Sequence, residues 1–234
     1  MGKLHPSATA IIALLLVLVS CSAASLALIS LRMQRTASAE LEFLRWNLTL
    51  AWLPMLLGLS MFVAYRWRWP SPIIAGAGVV WLLFLPNAPY LVTDLIHAGR
   101  TWATVPLWFD ILMFVAFGGT GLLLGYGSLY LVHAVVADRF GAAAGWALTL
   151  VTLVLSGAGI YLGRVLRLNS WDPATQPSLF LSIAQRRLED PLGNPSLYVL
   201  IAAMSVMLAL GYMVFVASAR IAGGIMERRL GRNV

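Results

Sequence analysis

Five long apolar runs constrain this chain more than any other feature of its sequence. They span Thr9 to Leu31, Leu48 to Tyr65, Ile111 to Val132, Ala142 to Leu162 and Leu197 to Ala217. Each is close to the length of about 20 apolar residues that a helix needs to cross a bilayer. Only 11% of the chain is charged, against about 25% in soluble domains, and its mean hydropathy is +0.85. The sequence therefore predicts an all-α, polytopic membrane helix bundle and excludes an ordinary soluble domain.

A sixth apolar run, Ile73 to Leu85, is too short to cross alone. At about 1.5 Å per residue it covers roughly 20 Å of a hydrocarbon core about 30 Å thick. To cross, it must continue through Pro86-Asn87-Ala88-Pro89-Tyr90 into Leu91 to Ile96. Proline removes a helical hydrogen bond and kinks or breaks the helix. We therefore expect about six transmembrane helices, of which the third is broken by proline.

The connection between the fifth and sixth spans predicts an interfacial amphipathic helix. Apolar residues from Leu179 to Leu188 alternate with Gln185, Arg186 and other polar residues, a pattern typical of helices that lie in the headgroup region. Breakers at Asp172-Pro173 and from Asp190 to Pro195 mark its limits. We expect one integral-membrane domain over residues 1–234, with the first span and its loop in residues 1–45.

Glycines recur at four-residue spacing at three places in or directly beside the fourth and fifth predicted spans. The pairs are Gly121 and Gly125, Gly141 and Gly145, and Gly159 and Gly163. Small residues allow membrane helices to approach closely. We interpret these pairs as packing faces within the bundle rather than as a dimer motif.

Charge gives the expected orientation and the partners. Six spans place both termini on one side, and the arginines and lysine divide equally between the two sides, so the positive-inside rule decides only weakly. Because Arg164 and Arg167 belong to the candidate site below, we favour cytoplasmic termini in a bacterial inner membrane. The excess of 16 basic over 9 acidic residues is spread over loops, which favours membrane lipids as partners and argues against nucleic acid. A protein partner is left open.

Three short segments hold nearly all the ionisable side chains at or near membrane depth, and such side chains are functional candidates by default. The candidates for catalysis are Asp94, His97 and Asp110; those for substrate binding are Asn87, Tyr90, Thr93, Arg164, Arg167, Asn169 and Asp172. In a six-span topology, the end of the third span, the start of the fourth and the end of the fifth share one face. We therefore expect the three segments to meet in one extracytoplasmic site.

The chemistry that these residue types favour is acid–base work beside a phosphate. Asp94 and His97 are three residues apart, on one face of a helix, where the carboxylate can orient the imidazole. Arg164 and Arg167 suit bidentate contacts with a phospholipid or lipid-linked phosphate. The alternative, equally weighted, is that Asp94 or Asp110 pairs with Arg164 or Arg167 only to neutralise buried charge. Metal ligation is poorly supported, and we expect no metal and no cofactor.

Several of these segments also carry a family resemblance. The stretch Leu85-Pro86-Asn87-Ala88-Pro89-Tyr90-Leu91-Val92-Thr93-Asp94-Leu95, then Trp108-Phe109-Asp110, Gly159 to Arg164 and Arg167 to Asp172, resembles the bacterial integral-membrane family called domain of unknown function 1361. The resemblance runs from about the second span to the end of the chain. It implies a polytopic bacterial membrane protein and no particular activity.

Three functions remain open from the sequence. The first is an enzyme acting on a phospholipid or lipid-linked phosphate at the extracytoplasmic leaflet. The second is a small transporter or permease, suggested by the broken third helix, since interrupted helices expose backbone groups that bind substrates. The third is a non-catalytic assembly or scaffold subunit whose polar residues hold the bundle together.

Overall fold

The computed structural model describes residues 6–36, 40–98, 105–189, 193 and 195–229, and within these residues the regular structure is entirely helical. The α-helices are α1 (Ala8–Thr36), α2 (Phe43–Arg66), α3 (Ser71–Phe84), α4 (Asn87–Thr93), α5 (Leu107–Phe140), α6 (Ala142–Arg164), α7 (Asp172–Thr175), α8 (Pro177–Glu189) and α9 (Pro195–Arg229). A 3₁₀ turn, Asp94–His97, follows α4 directly. The predicted all-α fold class is confirmed.

Six of these helical segments are long and apolar enough to cross a membrane. They are Ala8–Thr36, Phe43–Arg66, Ser71–His97, Leu107–Phe140, Ala142–Arg164 and Leu197–Gly223. The third combines α3, α4 and the 3₁₀ turn, as the short apolar run required. The predicted number of spans is confirmed, and the protein is a multi-pass membrane protein in its helical architecture.

The break in the third span lies at the proline predicted to cause it. Helix α3 ends at Phe84, and α4 begins at Asn87 after Pro86. Glycines make room for this irregular segment. A Cβ atom on Gly159 of α6 would lie 2.6 Å from the Pro86 ring, and one on Gly121 of α5 would overlap the carbonyl oxygen of Ala88. Two of the predicted glycine faces therefore receive the break inside the bundle.

Helix α5 is the central helix of the bundle, and polar side chains along it contact several neighbours. The hydroxyls of Thr120 and Ser25 lie 3.2 Å apart, which joins α5 to α1. Ser128 accepts a 2.7 Å hydrogen bond from the indole of Trp81 on α3 and donates one of 2.5 Å to the carbonyl of Pro54 on α2. Inside a bilayer these groups have no water to bond, so their pairing fixes neighbouring helices in register.

The C-terminal half of α5 contacts α6 and α9 through a group of aromatic side chains. The Nδ1 atom of His133 lies 2.9 Å from the Tyr212 hydroxyl, and the ring of Trp146 lies edge-on to His133. A single residue, Gly141, then joins α5 to α6 with φ +94°. That conformation strains any residue with a Cβ. The glycine therefore allows two long helices to turn back on each other with almost no loop.

The chain order divides the bundle into two ends. One end, here called the polar end, collects the C-terminal ends of α1, the third span and α6 with the N-terminal ends of α2, α5 and α9. The opposite end, here called the far end, holds the α2–α3 and α5–α6 connections. The three polar segments that the sequence singled out therefore share the polar end.

Helix α8 confirms that the connection before the last span contains a helix. It runs from Pro177 to Glu189, and Leu179 and Leu181 are exposed on it. Its location at the membrane interface stays a prediction. Of the breakers expected after it, residues 190–192 and 194 lie outside the described residues.

Candidate functional site

Asp94 is the centre of the polar end. It begins the 3₁₀ turn after α4, and only 1% of its side chain is exposed. The Nη2 atom of Arg164, on the last turn of α6, donates to Oδ1 at 2.5 Å, and the Nδ2 atom of Asn47, on α2, donates to Oδ2 at 2.9 Å. A buried carboxylate is tolerated where it is paired and hydrogen-bonded. Asp94 meets both conditions through two other spans.

Arg164 makes several further contacts from the same position. Its Nε and Nη2 atoms donate to the Thr93 hydroxyl at 3.0 and 2.6 Å. Its guanidinium carbon lies 4.4 Å from the ring centroid of Tyr90, within the range of a cation–π contact. Gly163 leaves space for that ring, because a Cβ there would lie 3.1 Å from it. Arg164 is thus fixed on three sides and still 20% exposed.

His97 completes the group. Its Nε2 atom lies 3.4 Å from Nη1 of Arg164, and the ring of Phe43 lies edge-on to the imidazole with centroids 5.3 Å apart. Arginine can only donate, so this contact is a hydrogen bond when Nε2 is the unprotonated ring nitrogen and accepts from Nη1. We refer to Asn47, Tyr90, Thr93, Asp94, His97 and Arg164 together as the Asp94 cluster.

Asp110 has a different partner from those that the sequence suggested. Its carboxylate accepts from Nε and Nη2 of Arg32 at 2.7 and 3.3 Å, and both side chains are sealed, at 0% and 1% exposure. The structural alternative had offered Arg164 or Arg167 as the partner of Asp110. The actual partner, Arg32, directly follows the apolar run that ends at Leu31. Helix α1 continues to Thr36 and so carries Arg32 into the bundle.

Three of the four remaining candidates lie on the chain that follows α6, and the fourth, Asn87, lies on α4. Asn169 donates its backbone N–H to Asp172 Oδ2 at 2.6 Å, so these two residues close a local turn, and Asp172 is buried. Asn87 on α4 reaches the same loop through a 2.7 Å bond from Nδ2 to the Ser170 hydroxyl. Arg167 is exposed and has φ +57°. The loop is therefore docked onto α4 through Asn87 and Ser170.

Comparison with known proteins fits this arrangement. Residues 46–227 match the profile of a family described as protein of unknown function, DUF1361. The chain belongs to this family. The resemblance read from its motifs is confirmed. No curated protein and no solved structure matches the chain.

The DUF1361 region contains every member of the Asp94 cluster and also Asp110, but it begins after Arg32. The structure brings five predicted residues, Tyr90, Thr93, Asp94, His97 and Arg164, into one cluster. Sequence reasoning missed Asn47. The only sequence signal for Asn47 is that it is a polar residue directly before the apolar run that begins at Leu48.

The described residues contain no group of three or more His, Cys, Asp and Glu side chains placed to hold a metal ion. Asp94 and Asp110 each face an arginine, and Asp172 caps its own turn. What the polar end offers chemically is a partly exposed guanidinium beside an imidazole.

Proposed function

We propose that the protein binds the phosphate of a phospholipid or lipid-linked precursor at the Asp94 cluster and acts on that lipid as an acid–base enzyme. In this proposal the polar end faces the extracytoplasmic side of a bacterial inner membrane and the termini are cytoplasmic. One observation carries the proposal. Among the described residues, two buried arginine–carboxylate pairs lie at the polar end; Arg164 is 20% exposed against 1% for Arg32, and Arg164 lies beside His97.

The Arg32–Asp110 and Arg164–Asp94 pairs differ in whether the arginine is exposed enough to bind a ligand. A guanidinium sealed at both faces, like that of Arg32, can neutralise a carboxylate but cannot receive a ligand. Arg164 can offer donor atoms at its exposed edge while Asp94 and Thr93 hold the rest of the group. A planar fork of donors fits phosphate oxygens well. The exposed Arg167, three residues further along, adds positive charge on the approach to the site.

His97 supplies the proton transfer in this scheme. A phosphate that takes the donors of Arg164 removes the contact to Nε2 and frees its lone pair. For hydrolysis, water attacks phosphorus while Nε2 takes its proton, the bond to the leaving alkoxide breaks, and that alkoxide receives the proton. Asp94 holds Arg164 in place. Asn87 positions the loop that carries Asn169 and Asp172. The proposal assigns Asp110 to a structural pair.

The test is a lipid assay on the purified protein in vesicles of phosphatidylethanolamine and phosphatidylglycerol, with products followed by mass spectrometry. His97→Gln keeps a hydrogen-bonding side chain but cannot transfer a proton at neutral pH, so product should fall by about 10²-fold or more. Arg164→Lys should weaken lipid binding through loss of the bidentate fork. His133→Gln, at a buried histidine in the far half of the bundle, is the matched control and should leave turnover per folded molecule unchanged.

A scaffold role is the second candidate. It is favoured because both carboxylate oxygens of Asp94 already have hydrogen-bond partners within the protein, Arg164 and Asn47. The double variant Asp94→Leu/Arg164→Leu separates the two functions. If the pair is only structural, apolar replacement of both residues should preserve folding and cellular function. If the cluster binds lipid phosphate, the folded double variant should be inactive.

A further inference from the structure

The far end of the bundle carries a concentration of positive charge that the proposed lipid site does not use. The charged side chains that the structure describes there are Arg66, Arg68, Asp138, Arg139 and Arg220, four arginines against a single acid. All five are exposed. At the polar end, by contrast, arginines alternate with carboxylates and several pair with them. The far-end arginines therefore form the more strongly basic surface.

Contacts between α2 and α5 bring two of these arginines together. The Tyr65 hydroxyl donates to Asp138 Oδ2 at 2.8 Å and so joins the last turn of α2 to the last turn of α5. Arg66 and Arg139 are the next residues along each helix, and both are close enough for their charges to act on Tyr65. The Tyr65–Asp138 contact therefore places the ends of α2 and α5 side by side, and each end carries an exposed arginine.

The turn after α2 adds a third arginine, which is flanked in the sequence by two tryptophans. Arg68 has φ +59°, a conformation for which glycine is the usual residue. The indoles on either side are exposed, at 72% for Trp67 and 49% for Trp69. Exposed tryptophans of membrane proteins lie at the headgroup level, where an apolar ring and a polar N–H both find partners. We therefore expect this turn, with its cation, to lie at the level of the lipid phosphates.

Phe140 is a third exposed aromatic residue at the far end. It is 67% exposed at the end of α5, and the guanidinium of Arg139 lies 5.3 Å from its ring centroid. The pattern of the α2–α3 turn is therefore repeated at the α5–α6 turn, with an arginine beside an exposed aromatic ring. Inorganic phosphate would contact the arginines but not the aromatic rings. A phosphate ester that carries acyl chains would contact both, the arginines through its phosphate and the rings through its apolar part.

We propose that Arg66, Arg68 and Arg139 form a binding site for the headgroup phosphate of anionic phospholipids, with Trp67, Trp69 and Phe140 contacting the glycerol and upper acyl region. We call this surface the far-end patch. It is separate from the Asp94 cluster and does not depend on the function proposed for that cluster. Its selectivity comes from net charge, since each arginine near a membrane surface favours anionic lipid about five-fold.

The test measures lipid binding to the full-length protein by native mass spectrometry, with titrations of phosphatidylglycerol and of phosphatidylcholine. The far-end variant is Arg66→Gln/Arg68→Asn/Arg139→Gln, where asparagine tolerates the left-handed backbone at 68. The matched control, Arg35→Gln/Arg45→Gln/Arg186→Gln, removes the same charge from the polar end. The control variant leaves every residue of the Asp94 cluster unchanged.

The far-end variant should lose at least about ten-fold of the preference for phosphatidylglycerol over phosphatidylcholine, and the control should keep most of it. Asp138→Asn retains an acceptor for Tyr65 but removes the acid, so it should increase the preference. Equal losses in both triple variants would overturn the proposal, as would an unchanged preference in the far-end variant. Inorganic phosphate that displaces phosphatidylglycerol at millimolar concentration would overturn the assignment to a lipid.

Discussion

At the residue scale, two buried aspartates explain most of the polar architecture, and each depends on an arginine from a distant part of the chain. Asp94 is held by Arg164, 70 residues later, and Asp110 by Arg32, 78 residues earlier. Taking a charge out of water costs several kcal/mol unless a partner compensates it. The two pairs differ in exposure, which is why we assign a ligand-binding role to one and a structural role to the other.

The sealed pair gives the first prediction. Arg32→Leu leaves the Asp110 carboxylate buried without its bidentate partner and should destabilise the bundle by about 3–5 kcal/mol. The double variant Arg32→Leu/Asp110→Leu should recover most of that loss. Unfolding in mixed micelles measures both effects. A double variant as unstable as the single one would show that the pair holds the fold through more than charge compensation.

Asn47 gives a second prediction at the same scale. Asn47→Leu removes the donor to Oδ2 of Asp94 and should cost about 1–3 kcal/mol, the penalty of leaving a buried acceptor unsatisfied. Asn47→Asp should be worse, because it places a second carboxylate beside the first. Thermal aggregation assays on the purified variants give the order. Thr49→Leu, at an exposed position on the same helix, is the control and should change little.

At the element scale, the broken third span is accommodated by its neighbours rather than by its own hydrogen bonds. Pro86 and Pro89 remove two backbone donors, and α4 turns along the glycine faces of α5 and α6. The close approach of α4 to Gly121 and Gly159 is what places Tyr90, Thr93 and Asp94 against Arg164. The irregular helix is therefore the element that builds the candidate site.

Glycine substitutions test this arrangement. Gly121→Ala would drive a methyl group into the backbone carbonyl of Ala88 and should destabilise the protein by about 1–3 kcal/mol through overpacking. Gly119→Ala lies two residues away on the same helix and meets open space, so it should be neutral or slightly stabilising. Equal effects on the unfolding midpoint would contradict close packing of α4 on α5.

At the scale of the whole molecule, six spans and short connections put the candidate site and the far-end patch at opposite ends. The first span is part of this assembly, since Leu18, Ile29 and Arg32 are fully buried in the bundle and Ser25 bonds to α5. We therefore propose that α1 belongs to the same integral-membrane domain as the DUF1361 region. The direction in which this domain faces the membrane follows from the proposed cytoplasmic termini.

Single-cysteine labelling tests that orientation. In a Cys21→Ser background, one cysteine is placed at Ser178 or at Ala142, at opposite ends of the bundle, and intact cells are treated with a membrane-impermeant thiol reagent. We expect Ser178→Cys to label and Ala142→Cys to label only after the cells are opened. The reverse pattern would place the polar end in the cytoplasm. Thr101→Cys, outside the described residues, should label together with Ser178→Cys.

The sequence by itself determined the all-α class, the number of spans, the break at Pro86 and the sharing of one end by the polar segments. These follow from apolar run length and chain order, which act locally and need no knowledge of packing. It did not determine which charges pair. Arg32 lies just outside the apolar run that ends at Leu31, so the sequence did not place it inside the bundle beside Asp110. Asn47 is uncharged, so it was not among the candidates. Pairing depends on the rotation of each helix about its axis, and the packing of glycine faces and buried side chains between spans sets that rotation. Only the tertiary structure therefore decided which arginine is sealed and which remains open.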